Sequence, residues 1–229
     1  MRKLSLLLFL GFATLAGCKS STSPGSSSST IVPPKAGSYF IVETTTTDST
    51  GAVSRDTQTD VVAQTNLTIY GKTGVTEVLD SIAFGIDTEY LRYESNGDVS
   101  TYQTFGDLSI PSLWVTLPFA SQTSTSWVNA NASFALYSNG HITETTTGAG
   151  SGNATVNGQS LQTEKANLNT SITDTTTFPS YAVSSTSLGI TFSFAPSLGY
   201  VVESDEPAYR SDGYLNPSTH GQLIGYSLK

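Results

Sequence analysis

The chain has 229 residues and a formal net charge of −8, with 12% charged, 37% hydrophobic and 10% aromatic residues. So acidic and Lys/Arg-poor a chain repels phosphate backbones and anionic headgroups, which argues against nucleic-acid partners and a polybasic membrane grip. Its one cysteine leaves no disulfide framework, so a folded domain must rest on its apolar core.

Arg2 and Lys3 open the chain, and an apolar run from Leu4 to Ala16 follows. The run is too short to cross a bilayer and has the length and flanks of a secretory signal. Leu15-Ala16-Gly17-Cys18 then resembles the lipobox of bacterial lipoproteins. That resemblance implies cleavage before Cys18, acylation of its thiol and amine, and membrane attachment through the lipid, since each buried methylene adds about 0.8 kcal/mol. Losing residues 1–17 removes two positive charges and leaves −10 on 212 residues. Lys19 stands where inner-membrane lipoproteins of enterobacterial type carry Asp, so the resemblance implies the outer membrane, facing the periplasm, with surface exposure as the alternative. The Ser-, Thr- and Pro-rich stretch that follows cannot offset its own ordering entropy and reads as a tether reaching roughly 20–25 Å. The expected organisation is a signal peptide over 1–17, lipidated Cys18 and tether over 18–35, and one domain over 36–229.

From Ala36 onward the chain is dense in Thr, Ser, Val, Ile, Tyr and Phe and shows no long 3.6-residue periodicity. Alternation places Leu188, Ile190, Phe192 and Phe194 on one face, with Ala130, Ala132, Phe134 and Leu136, and Ile224, Tyr226 and Leu228, as further sets. Asn96-Gly97, Asn139-Gly140 and Asn157-Gly158 signal two-residue hairpin turns, because both positions tolerate positive φ. These turns predict Leu91 opposite Tyr102, Glu94 opposite Val99, Tyr137 opposite Ile142, Phe134 opposite Thr145, and Ala154 opposite Leu161. A fourth turn is expected over Asp48–Ala52. The threonine tracts (Thr44–Thr47, Thr145–Thr147, Thr175–Thr177) read as solvent faces, and Thr147–Asn153 as a flexible loop. The fold class is therefore all-β: an antiparallel meander curled into a half-barrel or open barrel, with a two-layer β-sandwich as the alternative.

Three stretches, "LPFASQTSTSW", "VNGQSLQTEKANL" and "FSFAPSLGYVVES", resemble, in order, segments of a group of secreted all-β bacterial lipoproteins without assigned chemistry. The all-β character is also similar, at the level of fold, to lipocalins and to the half-barrels of the lipoprotein-carrier (Lol) system. Those folds hold acyl chains in a concave sheet, and fold alone does not carry function.

No Gly-x-Ser-x-Gly, His-x-x-x-His or Cys-x-x-Cys pattern occurs, so no catalytic set and no cofactor is expected. His141 and His220 read as solvated turn residues. Glu203, Asp205, Glu206 and Asp212 supply the hard oxygen ligands that suit calcium, or else form an acidic loop partly neutralised by Arg210. Tyr39, Tyr90, Tyr93, Trp114, Trp127, Phe192 and Phe194 could line a ligand site or fill the core. The expected function is a non-catalytic, lipid-anchored binding module for a hydrophobic or amphipathic, lipid-like ligand or an envelope protein. A surface β-domain recognising glycan or protein is the alternative.

Overall fold

The computed structural model describes residues 30–82, 85–104, 112–135, 138–176, 182–211 and 214–229. Cys18 and its lipobox, the tether up to Ser29, Leu136, Tyr137, Thr177 and Asp212 lie outside the described residues. The strands are β1 (Tyr39–Thr47), β2 (Val53–Ile69), β3 (Lys72–Ile82), β4 (Gly85–Tyr93), β5 (Val99–Gln103), β6 (Leu113–Leu117) and β7 (Ser124–Ala135). They continue with β8 (Ser138–Val156), β9 (Gln159–Thr176), β10 (Ala182–Ala195), β11 (Tyr200–Glu206), β12 (Arg210–Ser211), β13 (Tyr214–Leu215) and β14 (Ser218–Ser227). No helix forms among the described residues.

Twelve strands make one antiparallel sheet in the order β6-β5-β4-β3-β2-β1-β14-β11-β10-β9-β8-β7, and β12 pairs with β13 apart from it. Neighbours in space are neighbours in sequence, apart from the inserted β12–β13 hairpin and the pairing of β1 with β14, which joins the first strand to the last. That is an up-and-down meander rolled into a nearly closed barrel, as the close spacing of strands and turns implies. The seam between β6 and β7 closes by overlap. The inward-pointing Thr146 of β8 donates its hydroxyl to the Thr116 carbonyl of β6 at 2.9 Å and accepts from Trp127 Nε1 at 2.7 Å. Leu113 of β6 packs there with Val128 and Ile142. Thr146 is thus a buried pin on an otherwise unpaired edge, and not part of a solvent face.

The turns set the registers, and two registers differ from expectation. Asn157 and Gly158 take φ of 51° and 76°, and Ala154 faces Leu161 as expected. Asp48 Oδ1 accepts the Thr50 and Ala52 amides at 2.8 and 2.9 Å, closing the Asp48–Ala52 hairpin. At Asn96-Gly97, however, Glu94 N donates to Asp98 O at 2.9 Å and Tyr93 pairs with Val99, so the loop holds three residues. Gly97, at φ 90°, supplies the left-handed residue that a three-residue loop needs. The one-residue slip turns Leu91 and Tyr93 inward and sends Tyr102 to the outer face. Asn139-Gly140 is no turn: it pairs within β8 on both sides, and Ala135 is paired with Ser138.

Thr147–Asn153 is likewise strand rather than loop, with a bulge between Gly148 and Gly150. A Cβ on Gly148 would lie 2.3 Å from Gln122 Cα, so the β6–β7 connection passes this strand at backbone contact. Beyond the bulge, Ala154, Val156 and Leu161 at the hairpin tip plug one end of the barrel. They pack on Phe40, Val42, Val62, Tyr200, Val202 and Leu223, where Phe40 and Tyr200 stack at 3.8 Å. In β14 a register shift opposite Ile41 and Val42 turns Leu223 inward and leaves Ile224 42% exposed, which separates it from Tyr226, still packed on the core, where one shared face was expected. Residues ahead of Ala36 also touch the barrel. Ile31 packs beside Phe119 and Phe194, and Val32 N donates to Pro196 O at 2.9 Å.

Candidate functional site

The inner wall changes character along the barrel. At the plugged end Phe40, Val42 and Val62 are buried. Toward the other end, Thr44, Thr46, Gln58, Asp87 and Glu89 also point inward by strand parity, yet each is half-buried. That end is the mouth. At its floor Asp60 of β2 lies directly opposite Asp80 of β3, which lies opposite Asp87 of β4, with Glu89 two residues on.

Asp60 is fully buried and accepts from the Tyr200 hydroxyl and, at 2.9 Å, from Gln58 Nε2. Asp80 is 5% exposed, and its Oδ1 has no hydrogen-bond partner. Burial, then the charges of Glu89, Asp60 and Asp87, push the Asp80 carboxyl up to about 9. Burial, reinforced by Asp60, pushes Glu89 up to about 7, although a Thr101 hydroxyl at 3.3 Å opposes the shift. Burial also raises Asp60, against the bonds it accepts from Tyr200, Gln58 and Asp80. Asp80 is therefore the neutral, donating member of the pair at pH 7 and Asp60 the acceptor.

A second inward carboxyl lies in β11. Glu206 is 0% exposed, faces Thr219 of β14, and leaves both carboxyl oxygens and the Thr219 hydroxyl without partners. Burial pushes it up to about 8, and Glu144 of β8, with its own orphaned Oε1, up to about 7.

The aromatic candidates from the sequence divide between environments. Tyr93, Phe192 and Phe194 pack in the interior, and Trp127 closes the seam. Tyr39 is 39% exposed on the outer wall. Tyr90 and Trp114 also lie outside, where they join Tyr70 and Tyr102. Tyr70 stacks on Tyr102 at 3.9 Å, with Tyr90 and Trp114 edge-on and the Lys72 ammonium 5.2 Å from the Trp114 ring.

The acidic run does not converge either. It belongs to a strand, so Glu203 and Asp205 point outward while Glu206 points inward. Among the described residues no three carboxylate, histidine or cysteine groups are set to hold a metal. His220 pairs with Asp205 at 2.9 Å, and His141 sits between the Asn129 and Asn131 side chains at 2.7 and 3.0 Å. Asp60, Asp80, Glu89 and Glu144 were not singled out from the sequence. Their signal is phase: each carboxyl falls in step with the apolar members of its strand, as Asp60 does with Val62 and Asp80 with Val78.

The architecture has a counterpart. A crystal structure of a "putative lipoprotein" from Parabacteroides distasonis matches with a TM-score of 0.51 and 11% identity, over 86% of this chain and 99% of that one. At that identity the likeness is one of fold. No protein-family model and no curated protein matches the sequence.

Proposed function

We propose that this is a lipoprotein of the bacterial outer membrane, attached through acylated Cys18, whose barrel is a non-catalytic binding module taking its ligand at the mouth. The observation that carries the reading is the inner wall, which passes from packed aromatics to half-exposed polar groups and orphaned carboxyls. Buried polar atoms without partners are uncommon in folded proteins and are characteristic of places where something else binds. The lipobox and the lipoprotein of matching fold support the anchor. An acyl chain suits this interior poorly, because the apolar end is filled by the chain's own side chains.

The test uses the mature chain with Cys18→Ser, incubated with small-molecule extracts of bacterial envelopes and repurified. Native mass spectrometry is expected to show a non-covalent ligand, and hydrogen exchange to show protection around Gln58, Asp80 and Glu89. Recovery of an empty chain from every extract overturns the reading. The outer platform supports a second one, glycan recognition, because Tyr70 stays 61% exposed while stacked, as a sugar-stacking surface requires. Protection confined to Tyr70, Tyr102 and Trp114 would select it.

A further inference from the structure

The charged side chains that β1 to β4 and β11 turn inward are all carboxyls: Asp60, Asp80, Asp87, Glu89 and Glu206. The bases on the barrel strands go the other way. Arg55 shares the outer face with Thr45, and Lys72 and Arg92 pair with Glu94 at the end away from the mouth. Lys165 packs along Gly152 near the β8–β9 hairpin tip, away from the mouth carboxyls, His220 lies opposite Asp205, and His141 between two exposed asparagines. Taking carboxyls out of water without a counter-charge is unfavourable, and proteins ordinarily supply a base or abundant hydrogen bonds. Here Asp80, nineteen-twentieths buried, has an oxygen with no partner, and Glu206 has two.

We propose that the mouth binds an organic cation, a primary ammonium or guanidinium group held by Asp80 and Glu89 above the buried Asp60, with its body toward the opening. This rests on reading the mouth as the ligand site. The half-buried Glu89 and Asp87 form the approach, and the orphaned Asp80 oxygen lies beneath them. Among the described residues no three such groups are set to hold a metal ion, whereas an ammonium or guanidinium needs only the one or two carboxyls that Asp80 and Glu89 supply. Binding should also release protons, since a cation among these groups favours their ionised forms.

The experiment is calorimetric titration of the mature Cys18→Ser chain with benzylamine, its neutral counterpart benzyl alcohol, and calcium chloride, each in two buffers of different ionisation enthalpy. Saturable binding of benzylamine is expected, with proton release. Asp60→Asn and Glu89→Gln should each weaken it by about tenfold or more, while Glu203→Gln on the outer face leaves it unchanged. Glu89 is half-buried, so Glu89→Gln keeps the test decisive if Asp60→Asn fails to fold. Equal binding of benzyl alcohol overturns the requirement for charge, and preference for calcium overturns the organic class; either leaves the mouth as the site where Glu89→Gln abolishes that binding. Benzylamine binding that survives Glu89→Gln overturns the mouth as its site, and no saturable binding by any probe overturns the proposal and the mouth together.

Discussion

Raising the pH is expected to weaken this barrel, and the inward carboxyls set how steeply. Asp80 is held at about 9 and Glu206 at about 8, against ordinary values of 3.8 and 4.5 in the unfolded chain. Across roughly pH 5.5 to 7.5 the folded chain keeps protons on both groups that the unfolded chain has already lost. A folded-state value raised above the unfolded one contributes stability that is complete below the unfolded value and fades as pH climbs through the folded value. Each retained proton corresponds to about 1.4 kcal/mol lost per pH unit, so the pair sets an upper bound near 3 kcal/mol per unit. Relaxation around a buried charge reduces this, and about 1–2 kcal/mol per unit is the expected slope. Glu89 and Glu144, both at about 7, act in the same direction over the lower part of the window. Asp48 and Glu94 are held below their ordinary values and titrate beneath it, so they do not oppose the trend. Urea unfolding of the Cys18→Ser chain, followed by tryptophan fluorescence, measures the slope directly. Glu206→Gln should remove one proton's share and raise stability at the upper end. A midpoint that stays level or rises with pH, or a Glu206→Gln variant with the full slope, would refute the reasoning.

Asp98→Ala should destabilise the β6–β7 connection. The carboxylate accepts the Ala120 and Ser121 amides at 3.0 and 2.9 Å and Asn96 Nδ2 at 2.8 Å, so roughly 2–5 kcal/mol is expected from the orphaned donors. Asp98→Asn, which keeps an acceptor toward the amides, should lose less, and equilibrium unfolding compares the two. For the anchor, Cys18→Ser in the full chain should abolish acyl labelling and move the protein from membrane to soluble fraction.

The architecture was legible in the sequence because its main signals are local. Asn157-Gly158 needed only two positive-φ positions between alternating strands, and Asp48–Ala52 only a carboxylate able to cap its own turn. Asn139-Gly140 misled because the dipeptide permits a turn without requiring one, and pairing on both sides of β8 holds it extended. The site was less legible. Whether Tyr90 or Tyr93 faces inward depends on parity, and a single-residue difference in the loop at Asn96-Gly97 decides what lies opposite Leu91. Bulges at Gly148–Gly150 and opposite Ile41 shift faces in the same way. The inward carboxyls looked like ordinary strand polar residues, because burial arises only when β2, β3 and β4 curl toward Tyr200 from β11, a contact that no local stretch contains.

The docking of Ile31 and Val32 beside Pro196 has a geometric consequence. These residues sit at the plugged end of the barrel, where the described chain begins. In the proposed lipid-anchored form the attachment would therefore join the barrel at the end opposite the mouth. Anchoring and ligand entry would then use different ends of one sheet, so that neither need obstruct the other.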